Sequence, residues 1–252
     1  MAQEFFLDSP MPDVLAQWQH YLALLDTPDD AQVLDVGCGS GDPLRLLART
    51  ALDAGEFVGL DKRFLDHHAA NHTKAEAEDS RIRFQEGNAQ TLPFADNSFD
   101  RVLCVDVLEW VPDPGLALAE IDRVLRPAGA ALIVHTDFDA QVFAATDRER
   151  NRRIIHAFSD AGPNGQMGRE LNGLCRRAGF ASIETSVYPL VNTEWRPDRY
   201  GYQMARMMTE WLAQKQLIAQ SDLVGWLDDL QQQSAVDSFF YSINRNICRC
   251  IK

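Results

Sequence analysis

Three glycines and two carboxylates are spaced so as to cradle a nucleotide-like ligand. The apolar run Val33-Leu34-Asp35-Val36 enters the turn Gly37-Cys38-Gly39-Ser40-Gly41-Asp42. Such a turn tolerates positive φ and lets a ligand approach the backbone at a helix N-terminus. A second apolar run, Phe57-Val58-Gly59-Leu60, ends in Asp61. That is about twenty residues on, where a βαβ unit presents a carboxylate to a ribose. Dinucleotide folds want G-x-G-x-x-G, but Asp42 stands at the third glycine position, which counts against an NAD-dependent oxidoreductase. His135 closes the apolar segment Ala130–His135, with Asp137 and Asp139 just behind it. At the carboxyl end of a strand, where open α/β sheets bind ligands, it is the candidate general base.

The elements that must position these groups follow from hydrophobic period. Residues 13–26 repeat apolar side chains at helical spacing, and Pro28-Asp29-Asp30 ends that helix. Helices are expected from Pro43, over about Arg63 to Glu78, and over Pro114–Leu125. Strands are expected at Arg81–Phe84, Phe99–Val105 and Ala130–His135. From Asp139 to Ala178 the rhythm is helical, Ile183–Val191 is extended, Pro197–Gln233 is helical, and Phe239–Cys248 is again a strand. Alternating strands and helices imply an α/β, doubly wound, mostly parallel sheet. The chain reads as a single domain over 1–252. It has an N-terminal helical cover (1–30), a Rossmann-like core (31–196 and 236–252) and a helical lid insertion (197–235).

Composition narrows the partners. The chain of 252 residues has 37 acidic against 24 basic residues, a net charge of −13, and no basic run. Nucleic acid and anionic membrane surfaces are therefore not expected partners. The five cysteines fit neither a C-x-x-C nor a zinc spacing and read as reduced, partly buried thiols. Met1–Pro12 lacks the pattern of a signal peptide, and no apolar run is long enough to span a bilayer, so a cytoplasmic monomer or homodimer is expected. His68 and His72 have the i, i+4 spacing of a metal pair, but with His67 they read as a solvated helix face, and no metal is expected.

Taken in order, several segments resemble class I S-adenosylmethionine-dependent methyltransferases, in the small-molecule branch that includes the ubiquinone and menaquinone enzymes. They are D-x-G-x-G-x-G at Asp35–Gly41, Asp61, Gly87–Phe94 with Asn97–Asp100, Val105–Asp113 and Glu120–Gly129. The resemblance implies a seven-stranded sheet whose last strand, Phe239–Cys250, enters antiparallel. It implies S-adenosyl-L-methionine as cofactor, with S-adenosyl-L-homocysteine as product. Gly37, Gly39 and Gly41 would lie beside the cofactor's amino-acid portion. Asp35 would organise the loop amides or meet the ammonium through water, and Asp61 would accept from both ribose hydroxyls. Lys62 and Ala89 would flank the adenine. Asn88, where the family usually has aspartate, would accept from its amino group, and Val105 would offer a carbonyl to the methionine amine. Trp110 replaces a common histidine, which weakens any transfer of a quinone substrate.

The chemistry implied is in-line displacement of a methyl group, which needs alignment and exclusion of water more than acid–base help. Where a base is used, it is His135. Phe6 (beside Phe5), Trp18, Tyr21, Trp110, Asp137, Asn192, Trp195 and Tyr200, with Arg196 and Tyr202 nearby, are the candidate substrate-binding residues. Aromatic walls suit a small, flat, partly polar molecule. The reading is methyl transfer to N or O of a small aromatic or heteroaromatic metabolite in specialised metabolism. Quinone-type C-methylation and a non-catalytic S-adenosylmethionine-binding module are the alternatives.

Overall fold

Strands β1 (Gln32–Val36), β2 (Glu56–Asp61), β3 (Ile82–Glu86), β4 (Phe99–Val105) and β5 (Leu125–Thr136) alternate with helices α2 (Asp42–Thr50) and α3 (Pro114–Val124) behind α1 (Pro12–Leu25). The computed structural model describes residues 11–50, 55–62 and 79–252, so the helix expected over Arg63–Glu78 lies outside the described residues. Then come β6 (Val142–Phe143), α4 (Arg148–Ala161), α5 (Met167–Ala178), β7 (Ser182–Asn192), α6 (Tyr200–Gln214), α7 (Gln220–Ala235) and β8 (Tyr241–Ile251). The sheet runs β3-β2-β1-β4-β5-β8-β6, with β7 paired to β8 off that path. It is mostly parallel, with antiparallel last strands. Among the described residues the sheet has eight strands rather than seven, because Val142↔Ser242 and Phe143↔Tyr241 form a two-residue pairing. So short a strand shows no period of two and is hidden in an apparently helical stretch.

Register sets the working edge. Val36 pairs in parallel with Leu60 of β2 and Cys104 of β4, and Val105 pairs with Val134 of β5. The carboxyl ends of these strands are thus level, and the residues just past them, from Gly37 to His135, share one edge of the sheet. Val33, Leu34, Val36, Val102 and Cys104 are wholly buried, as a parallel sheet covered on both faces requires.

The chain divides into two compact units. The core unit comprises 18–135 (as described), Gly168–Ser186 and Asn246–Lys252. In it Arg101 and Arg249 donate to the carbonyls of Leu25 and Leu24, pinning the last turn of α1. The helical unit comprises 11–17, Thr136–Met167 and Val187–Arg245. It is larger than the 197–235 insertion because the buried face of α4 (Ile154, Ile155, Phe158) joins the same apolar core as Met208, Trp226 and Leu230. Asp229 ties this unit together by accepting from the Thr146 amide and hydroxyl at 2.8 and 2.7 Å.

Candidate active site

The turn after β1 folds back onto β2. The amides of Gly37 and Cys38 both donate to the Leu60 carbonyl, at 2.7 and 3.1 Å. Gly39 donates its amide to Asp61 Oδ2 at 3.1 Å. Its φ is +51°, and no atom of the described residues lies within 4 Å of the place a Cβ would occupy, so among them its backbone faces open space. Gly41 has φ +82°, and there a Cβ would run into the Phe84 ring. Arg45 of α2 donates to the Ser40 carbonyl and lies 5.2 Å from the centroid of that ring, holding the turn from its helix side. Only glycine satisfies both the left-handed backbone and the crowding at position 41.

Asp35 is buried beneath this turn, and among the described residues its Oδ2 has no hydrogen-bond partner. Burial, reinforced by the charge of Asp61, raises its pKa from 3.8 to about 7. A buried carboxylate oxygen under an open backbone suits a ligand carrying a cation. Asp61 is partly committed, since one oxygen already holds Gly39. A carboxylate has further lone pairs for a diol.

The loop after β3 is clamped to α3. Glu120 accepts from the Leu92 amide at 2.7 Å, and Arg123 donates to the carbonyls of Leu92 and Phe94. Within it the Asn88 side-chain oxygen, expected to meet an adenine amine, accepts from the Gln90 amide at 3.0 Å. Asn88 therefore shapes its own turn first. Ala89 is buried, Lys62 is exposed and Val105 is half-buried at the end of β4.

His135 is wholly buried at the end of β5, with Nδ1 2.6 Å from Oε2 of Glu109, itself buried in the turn after β4. Its Nε2 has no hydrogen-bond partner among the described residues. Ligand atoms of Asp106, Glu109 and His135 all lie within 4.8 Å of one another, close enough to face one cation. Asp106 reaches this cluster from a left-handed backbone, φ +57°. Sequence reasoning passed over Glu109. The local signal is slight, an acid directly before the half-exposed Trp110.

The other predicted substrate residues fall in both units. Tyr21, in the core unit, is 1% exposed. Trp18 is half-buried. Phe6, with Phe5 and His67, His68 and His72, lies outside the described residues. In the helical unit, Asn192 donates to Asp13 Oδ2 at 2.8 Å and accepts from the Gly201 amide at 2.6 Å. Tyr200 accepts from Arg245 at 3.1 Å, and its own amide donates to Asp13. Trp195 packs against Tyr202 and Phe239, with centroids 4.7 and 5.2 Å apart, and Arg196 pairs with Asp198. Asp137 caps the turn Phe138–Ala140 by accepting from the Asp139 amide. Aromatic and amide side chains read alike from sequence whether they face a ligand or each other.

Residues 34–133 match a family model described as a methyltransferase domain. The chain is 37% identical over 115 residues to the demethylmenaquinone methyltransferase of Bacillus licheniformis, covering 46% of this chain and 49% of that protein. It is 28% identical over 198 residues to the sterol 24-C-methyltransferase ERG6A of Gibberella zeae, covering 77% of this chain and 49% of that one. It spans about half the length of the curated relatives it matches. Among solved structures, the YcgJ protein of Bacillus subtilis superposes with a TM-score of 0.62 at 17% identity, over 94% of this chain and 98% of that one. Phosphoethanolamine N-methyltransferase 2 of Haemonchus contortus does so with 0.58 at 19% identity, over 94% and 52%.

Proposed function

Because this chain belongs to the class I S-adenosylmethionine-dependent methyltransferases, we propose that it transfers a methyl group to nitrogen or oxygen of a small aromatic or heteroaromatic molecule. The observation that carries the cofactor reading is the open backbone at Gly39, set between the buried, unpartnered Asp35 oxygen and Asp61. Bound there, S-adenosylmethionine supplies a methyl group already activated on a sulfonium. Asp35 meets the cationic end, Asp61 holds the ribose while keeping the Gly39 amide, and the loop clamped by Glu120 and Arg123 borders the adenine.

His135 is the base of this reading, and Glu109 is its positioning residue. With Nδ1–H donating to Glu109, Nε2 keeps its lone pair for the acceptor's proton, taken directly or through one water. The relatives named as C-methyltransferases make transfer to a quinone-like carbon the second choice of acceptor. The same donor cluster supports another reading of how the acceptor is activated. Asp106, Glu109 and His135 would hold a divalent cation that orients an oxygen acceptor.

Calorimetry with S-adenosylhomocysteine and NADH tests the cofactor. Binding of NADH alone would overturn it. Incubation with methyl-labelled cofactor and a metabolite extract tests transfer, and tight cofactor binding without any labelled product would favour a non-catalytic module. Turnover abolished by EDTA and restored by Mg²⁺ or Mn²⁺ would favour the cation over the free base.

A further inference from the structure

We propose that the helical unit carries a second ligand site, a cavity that takes the carboxylate or phosphate of a small organic acid with an apolar body. The cavity measures about 520 Å³ and is formed by residues between Asp139 and His156. That lies within the range of about 300–1,000 Å³ typical of small-molecule pockets. Phe143 and Ile155 give it apolar walls.

Its polar groups come from two places. Arg148, Arg152 and His156 stand at i, i+4 and i+8 on α4 and so line the cavity from one helix face. Gln141 follows the capped turn Phe138–Ala140. It is 4% exposed, and among the described residues neither its Nε2 nor its Oε1 has a hydrogen-bond partner. An amide buried with both ends unmet is costly unless something else meets them.

The arginines make the chemistry specific. Their neighbours on α4 are paired: Arg150 with Asp147 and Asp222, and Arg153 with Asp222. Among the described residues Arg148 and Arg152 have no ion pair and no hydrogen bond, in a chain with 37 acids and 24 Lys and Arg. The one carboxylate in the lining, Asp139, already receives Gln166 at 2.8 Å. Two planar guanidinium forks and an amide NH₂ match the oxygens of a carboxylate or a phosphate monoester. The apolar walls match the body that carries it. This site does not rest on the methyl-transfer reading, because it is defined without the cofactor.

The test is calorimetry on the cofactor-free protein with 4-methoxybenzoate, phenyl phosphate and the neutral isostere 4-methoxybenzamide. At least one of the acids should bind at least about tenfold more tightly than the benzamide, and the preference should weaken with added salt. The stronger of the two acids identifies the carboxylate or the phosphate as the natural group. R148Q/R152Q removes two exposed, unpaired charges and should leave the unfolding midpoint in place while abolishing the preference. Gln141→Leu keeps the volume and should weaken acid binding several-fold. Equal affinity for the benzamide, no saturable binding of either acid at about 10 mM, or wild-type binding by R148Q/R152Q would overturn the proposal. A protein that binds the acids but not S-adenosylhomocysteine would support this site and sink the methyl-transfer reading alone.

Discussion

At the carboxyl ends of β1 and β5, Asp35 Oδ2 and His135 Nε2 are buried with no hydrogen-bond partner among the described residues, whereas at the end of β7 Asn192 spends its amide on Asp13 and Gly201. Both regions are polar, and both carry residues that a sequence reader would assign to a ligand. The difference is how their hydrogen-bonding capacity is used. Around Asn192 the partners saturate one another, so Asp13, Asn192 and the start of α6 form a clasp. Along the strand ends the capacity is left over, and a buried group left over is sustained by a ligand or a reaction.

The largest test of that contrast is at His135. We predict that His135→Ala lowers turnover by about 10²–10⁴-fold while cofactor affinity stays within a factor of about two. Glu109→Gln should keep the contact but weaken the imidazole's hold on an incoming proton, shifting the pH profile of kcat more than the affinity for either ligand. Unchanged turnover in His135→Ala would return the histidine to packing.

The second test uses pH and the raised pKa of Asp35. Below pH 3.8 the carboxyl is protonated in both folded and unfolded chains, so it has no effect on stability. Between pH 3.8 and about 7 the unfolded chain ionises while the native one keeps its proton, so stability is lost as pH rises across that window. The loss is on the order of 3–5 kcal/mol by pH 8. Asp35→Asn lacks this titration, so denaturant unfolding of the cofactor-free proteins should show the variant gaining on wild type as pH rises from 4 to 8. A constant difference would mean that Asp35 is not held neutral. S-adenosylhomocysteine, which carries an ammonium, should bind wild type better at pH 8 than at pH 6, and the variant should lose that trend.

These two sites also show what sequence can tell. The cradle is legible because its geometry is local: three glycines, a preceding acid and the next strand's acid are fixed by the βαβ connection. His135 is legible from its place at a strand end. Glu109 is not, because its pairing with His135 joins two strand ends 26 residues apart in the chain. Asn192 is illegible for a related reason. Its partner Asp13 is 179 residues away, and no local pattern separates a clasp from a binding group. The strand β6 escapes because two residues have no period.

On the saturated side of the contrast, Asn192→Ala should destabilise folding by about 2–3 kcal/mol, because it leaves the Gly201 amide and one Asp13 lone pair buried or unmet. Cofactor affinity should not change. If it falls without a loss of stability, the clasp is part of the binding site after all and the contrast fails.

Asp61 lies between the two behaviours and gives the smallest and sharpest test. One of its oxygens serves the scaffold by accepting the Gly39 amide, and the carboxylate retains lone pairs for the ribose. Asp61→Ala removes both roles and should weaken S-adenosylhomocysteine binding by about 1–3 kcal/mol, seen as a rise in Kd of roughly 5–150-fold. Asp61→Asn keeps one oxygen for Gly39 but replaces the other with a donor and removes the charge. If the carboxylate grips the ribose, Asn should lose most of what Ala loses. If Asp61 serves only to hold the turn, Asn should bind the cofactor as wild type does, and the turn would be cradling its ligand through backbone alone.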